Sequence, residues 1–188
     1  MMDGKAILKD LILGFLMQAG EITKTKLAKL ILFAEIEHFR RTENSITGLY
    51  FVRLRKGPVI AFFDEVLEEE TQSLWDKVTT QISIHEEGRL KFQYSYIPKV
   101  EVQLSPEVKA TIGKVYEEYG HKTGTALSHL SHNLPAWKYS EPNEPILIAE
   151  LAVEDEAEYF ALTDLVEDFD DDETLGEKLS QVLSEPER

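Results

Sequence analysis

The chain contains no cysteine. Disulfides and thiolate metal sites are thereby excluded, and a reducing cytoplasmic setting is expected. No apolar run approaches the roughly 20 residues that a bilayer span requires, so no membrane segment is expected. The opening MMDGKAILKDLILGFLMQAG is interrupted by Lys9 and Asp10 and repeats its apolar residues at helical spacing, which fits a core helix better than a signal peptide. There is no Walker loop, no G-x-G-x-x-G, no G-x-S-x-G elbow and no internal repeat. Basic residues are scarce in one region only. The last 48 residues hold 2 Lys+Arg against 17 Asp+Glu, whereas the first 140 hold 18 of each, so the whole net charge of −15 sits at the C-terminal end. This pattern predicts a neutral domain, residues 1–150, followed by an acidic, partly helical or disordered tail, residues 151–188.

Helical periodicity is abundant. Residues 4–19 carry Ile7, Leu8, Leu11, Ile12, Phe15 and Leu16 at amphipathic spacing, and Gly20 ends the run. Thr23 is the expected N-cap of a long helix that breaks near Asn44. On it Leu27, Leu30, Ile31, Ala34 and His38 share a face, while Phe33 and Ile36 point roughly opposite, as suits a helix with neighbours on most sides. LYFVRLRK, between Gly48 and Gly57-Pro58, reads as a strand. Residues from Ile60 to Val78 have helical spacing, and alternation on both sides of Gly88 predicts a hairpin over 82–97. Ser105-Pro106-Glu107 opens a further helix toward Gly120, and Thr123 caps a shorter one that stops before Pro135. Beyond Pro142, apolar residues again recur at helical spacing, up to a last short segment through Leu175, Leu179 and Val182. The expected fold is mainly α (α+β): a compact helical domain with a winged-helix-like start and a small antiparallel element joining 49–55 to the hairpin.

The candidate chemistry is sparse. His129 and His132 lie three apart on one helix, but nothing nearby completes a recognised zinc pattern, so no metal and no cofactor are expected. Ser128-His129 and Ser131-His132 are adjacent pairs whose side chains diverge on a helix. A packing contact of His132 on Trp137 is the better expectation. Glu35 is three residues before His38, within reach to hold a buried imidazole. Arg40, Arg41, Arg53, Arg55 and Lys56 form the densest basic group and would make a patch if the strand packed near the end of the central helix. An ordinary solvated strand edge explains Arg53, Arg55 and Lys56 equally well.

KLAKLILFAEIEHFRR, SITGLYFVRLRKGP and LSHNLPAW, in that order, resemble the Panacea domain, the SocA-like antitoxin family that includes phage-associated GepA-like proteins. Lys26, Lys29, Ala34, His38, Ile46, Thr47, Gly48, Gly57, Pro58, Ser131, His132 and Trp137 follow the family pattern over about residues 5–150. Leu32 stands where a Tyr is common, and Glu35 where an Asp is usual. The resemblance implies a non-catalytic, protein-binding antitoxin whose partner is a cognate toxin, usually encoded next door. It also makes Lys26, Lys29, Glu35, His38, Gly48, Gly57, Pro58, Ser131, His132 and Trp137 the candidate motif or partner-binding residues. Two alternatives remain open: a DNA-binding regulator built on the winged-helix-like start, and an adaptor that delivers a partner to a protease. The neutrality of residues 1–140 argues against a nucleic-acid reader.

Overall fold

Helix α2, Lys24–Thr42, runs through the middle of the protein, with every residue from Leu27 to Ile36 buried. The protein is described here by a computed structural model over residues 3–68, 78–84, 90–96 and 103–170. Helix α1, Gly4–Ala19, begins at Asp3, whose carboxylate accepts the Lys5 amide, and ends at Gly20 with φ 70°. Its Leu8, Leu11, Ile12, Phe15 and Leu16 are fully buried. Helix α4, Pro106–Tyr119, is capped by the Ser105 hydroxyl, and its Val108, Ile112 and Val115 close the other side of the core. Helix α5, Gly124–Ser131, is capped by Thr123, and α6, Pro135–Tyr139, starts on its proline. Helices α7, Ile148–Ala152, and α8, Glu156–Asp170, complete the set among the described residues. Helix α2 touches α1, α4, α5 and α7, as its nearly all-round apolar pattern requires. Its last turn closes at Glu43, φ 57°, whose amide reaches the Phe39 carbonyl.

The protein is thus mainly helical, and among the described residues the strands form two small antiparallel sheets rather than one. Strand β1, Glu21–Thr23, sits between α1 and α2 and pairs with β5, Leu90–Tyr96, which pairs with β4, Val78–Ile84. A strand between the first two helices laid on a later hairpin is the winged-helix-like arrangement. Strand β2, Phe51–Val52, lies instead between β3, Val59–Ile60, and β6, Pro145–Ile146. Residues 49–55 and the hairpin are therefore in different sheets, which corrects the expectation that they join. A two-residue strand is too short to show a period-2 pattern, so β3 and β6 left no sequence signal. Pro145, which has no amide hydrogen, is tolerated because β6 is an edge.

Among the described residues, the helical spacing expected from Ile60 to Val78 is realised in α3, Phe63–Glu68. Phe62 before it has φ 61°, and residues 78–80 belong to β4. Residues 69–77, the Gly88 turn and the segment carrying Leu175, Leu179 and Val182 lie outside the described residues. Apolar burial continues past residue 150: Leu151, Val153 and Tyr159 join the core, and Leu162 packs on it. Among the described residues no helix is long and apolar enough to cross a membrane.

Candidate functional site

The turn between β2 and β3 is held from below by buried side chains. Gly57, φ 94°, donates its amide to the Leu54 carbonyl and closes the turn. A Cβ at this glycine would stand 2.0 Å from Ser131 Oγ and 2.9 Å from Lys29 Nζ, so only glycine fits against those two side chains. Lys29, 1 % exposed, donates to the Pro58 carbonyl at 2.5 Å. Ser131 is fully buried and donates its hydroxyl to the Ser128 carbonyl at 2.8 Å. On the α6 side, Trp137 Nε1 donates to the Leu54 carbonyl at 2.9 Å, and Arg53 Nε donates to the Trp137 carbonyl at 3.2 Å. The His132 and Trp137 rings stack 3.9 Å apart and 9° from parallel, and the Arg53 guanidinium lies 4.7 Å from the indole centre. Lys29, Gly57, Pro58, Ser131, His132 and Trp137, spread over more than a hundred residues of sequence, thus converge on one turn. Leu54, Arg55 and Lys56 at its tip are exposed.

The electrostatics beneath the turn are unusual because no carboxylate among the described residues is bonded to Lys29 or His132. Burial lowers the Lys29 amine to about 7, close to neutrality at physiological pH. His132 is also lowered, first by burial and then by the positive charges of Lys29, His129 and Arg53, while the Arg55 backbone acts the other way. A neutral amine can still donate to Pro58, so the contact survives without a buried charge. Ser131 has already committed its proton to a carbonyl, and the Ser128 hydroxyl and His132 Nε2 are buried without a hydrogen-bond partner among the described residues. This geometry positions a turn; it does not line up a nucleophile with a base. The His129 and His132 rings are 6.0 Å apart, and among the described residues no group of three or more metal-ligating side chains forms.

Glu35 does for the start of β2 what Lys29 does for the turn. Its fully buried carboxylate accepts the Ile46 amide at 2.8 Å, the Thr47 amide at 3.0 Å, the Thr47 hydroxyl at 2.6 Å and the Ser45 hydroxyl at 3.0 Å. Gly48 follows with φ 71°. Glu35 is therefore spent on this loop and not on His38, which corrects the expected Glu35–His38 pair. His38 Nδ1 instead approaches Thr111 Oγ1 of α4 at 3.5 Å, and Arg41 donates to the same hydroxyl at 3.0 Å. Lys26 donates to the Gly120 carbonyl at the end of α4, and partial burial lowers its amine.

The five basic residues serve three settings. Arg40 reaches the Ala152 carbonyl and the Glu154 carboxylate, and Arg41 joins Thr111 and Glu107 on α4. Arg53 is committed to Trp137, leaving Arg55 and Lys56 exposed at the turn without an ion pair among the described residues. A concavity of about 320 Å³ lies between α2, α4 and the α5–α6 junction, lined by Phe33, Ile36, Tyr119, Leu130, Leu134 and Pro135. Its rim charges are largely satisfied, Glu37 by Lys114 and Arg40 by Glu154. Sequence reasoning missed Thr111 and Ser45, which are isolated polar residues whose partners lie on other elements.

Neither a curated protein nor a solved structure matches the chain. One family model does, the antitoxin SocA-like Panacea domain, over residues 27–138, more than half of the chain. That span runs from the α2 core through the turn to Trp137 and contains all the residues that converge beneath it, and the chain belongs to this family.

Proposed function

We propose that the protein is the antitoxin of a toxin–antitoxin pair and neutralises a cognate toxin by direct binding, without catalysis or a cofactor. The toxin is proposed to be encoded next door and to meet this chain in the cytoplasm. Membership of an antitoxin-like family supports the general role. The observation that carries the binding mode is the convergence of the motif residues beneath the β2–β3 turn. Lys29, Gly57, Pro58 and Ser131 are buried, His132 and Trp137 half-buried, and their contacts to one another or to backbone hold a surface in place. A preorganised surface loses less freedom on binding, so more of the contact energy appears as affinity. Against the DNA-binding alternative stands α2: the helix after β1 is buried from Leu27 to Ile36, so its middle turns offer no face to a groove. The acidic residues beyond 150 are proposed to speed association with a basic toxin surface.

The test is co-expression with the product of the neighbouring reading frame. Growth rescue accompanied by a stoichiometric complex is expected, with an association rate that falls as salt rises. Rescue by substoichiometric amounts, or without any complex, would overturn binding as the mechanism.

A further inference from the structure

Where α8 lies against α6, two aromatic rings face solvent inside a field of negative charge. Tyr139 is 46 % exposed and Phe160 is 44 % exposed, and their ring centres are 4.7 Å apart. The pair is fixed from behind by Tyr159, which is 5 % exposed and 6.0 Å from Tyr139. The Tyr139 hydroxyl donates to Glu156 at 2.8 Å, and Lys138 pairs with the same carboxylate. The Asp155 carboxylate caps α8 by accepting the Ala157 and Glu158 amides, so the helix start is also fixed. Helix α8 contains no Lys or Arg. Glu158 and Asp164 are exposed and have no ion pair among the described residues. On the helix surface Phe160 lies between Glu156 and Asp164, one turn to either side.

We infer that the Tyr139–Phe160 pair and the carboxylates around it form a docking surface for an arginine-bearing basic segment of the partner protein. This deepens the antitoxin reading and rests on it for the partner's being a protein. Charge selects the occupant. The nearby cations, Lys138 and Arg40, are already paired with Glu156 and Glu154, so the remaining potential is negative. Nucleic acid and anionic lipid are repelled by that potential, and a second copy of this chain brings the same −15. An arginine suits both parts of the surface, because its planar guanidinium stacks on aromatic rings and its fork pairs with carboxylates. Exposed, immobilised aromatics are also what protein interfaces concentrate. Carboxylates alone would attract any cation; the ring pair adds a preference for arginine over lysine.

The probe is a short fluorescent Arg-Ser-Leu peptide, compared with its Lys-for-Arg and Glu-for-Arg counterparts, on the full-length chain. The Arg peptide is expected to bind more tightly than the Lys peptide, with no binding of the Glu peptide. The double variant Y139S/F160S should weaken the Arg peptide on the order of tenfold, mainly through faster dissociation, and abolish the preference over Lys. Y139F keeps the ring and should bind as the wild type does, which separates loss of the aromatic face from loss of the Glu156 contact. E158Q/D164N should slow association and flatten its salt dependence, while Met17→Ser on α1 changes nothing. Equal binding of the Arg peptide to Y139S/F160S and wild type, no Arg–Lys preference, or no peptide binding at all would each overturn the inference. Toxin neutralisation is scored separately. Neutralisation unaffected by Y139S/F160S would sink this surface and leave the antitoxin reading standing. Peptide behaviour as expected with no rescue by the wild type would do the reverse.

Discussion

Lys29 and Glu35, six residues apart on α2, hold the two ends of one β-ribbon: Lys29 donates to Pro58 beyond the turn, and Glu35 gathers the amides of Ile46 and Thr47 before β2. Six residues of helix rise about 9 Å, which matches the scale of a short strand, so one rigid helix sets both anchor points. The two charges solve burial differently. Glu35 is surrounded by four donors, whereas Lys29 sits at about 7, able to shed its proton.

That difference predicts a pH signature. Lys29 has a folded value of about 7 against an ordinary 10.5, so between those values the unfolded chain binds more protons than the folded one. Stability should therefore rise as pH increases from about 7 toward 10, by up to a few kcal/mol at about 1.4 kcal/mol per pH unit. The lowered His132 adds a rise of the same sign that ends near its ordinary 6.5. Tyr119, raised to about 12, works in the opposite direction above its ordinary 10, which limits the useful window to below 10. Urea unfolding at pH 7 and pH 9.5 should show the increase in wild type and its loss in Lys29→Met. A wild type with no gain across that interval would contradict the neutral amine.

Gly57→Ala should destabilise the domain by roughly 1–3 kcal/mol, because it adds a Cβ where φ is 94° and Ser131 Oγ is 2.0 Å away. Pairing it with Ser131→Ala should restore only part of the loss, since the backbone angle and Lys29 Nζ remain. Full rescue would show that the hydroxyl clash alone matters.

Glu35→Gln should cost about 2–4 kcal/mol, as an amide nitrogen replaces one of the two oxygens that face only donors. Hydrogen exchange at the Ile46 and Thr47 amides should accelerate well beyond the change elsewhere. Uniform acceleration across the protein would mean that Glu35 supports global stability and not this loop in particular.

Ile31→Asp should unfold the domain. Ile31 is fully buried, and an unpaired carboxylate there costs several kcal/mol against a typical total of about 5–15. A soluble variant with a cooperative melt would show that α2 is not the centre of the core.

Truncation tests where the folded unit ends. Removal of everything after residue 150 deletes buried Leu151, Val153 and Tyr159 and should lower the melting temperature sharply or abolish cooperative unfolding. Removal after residue 170 keeps all three and should leave the melt close to wild type. Equal melts for the two truncations would support a boundary at 150 and make α8 an appendage.

Periodicity and capping by themselves determined α1, α2, α4 and α5, because those signals are local: apolar residues every three or four positions, Ser105 and Thr123 at helix starts. The hairpin was legible for the same reason. The ordered motifs also carried the family. Only the tertiary structure decided what the motif residues do, since their partners are remote: Trp137 meets Leu54 across 83 residues and Lys29 meets Pro58 across 29. No window of sequence reports whether a lysine is buried with a carbonyl or solvated with a carboxylate, and the choice reverses its chemistry. Composition likewise placed a boundary by charge, at 150. Burial does not follow charge: an acidic helix such as α8 can dock one face, through Tyr159 and Leu162, while its charges stay in water.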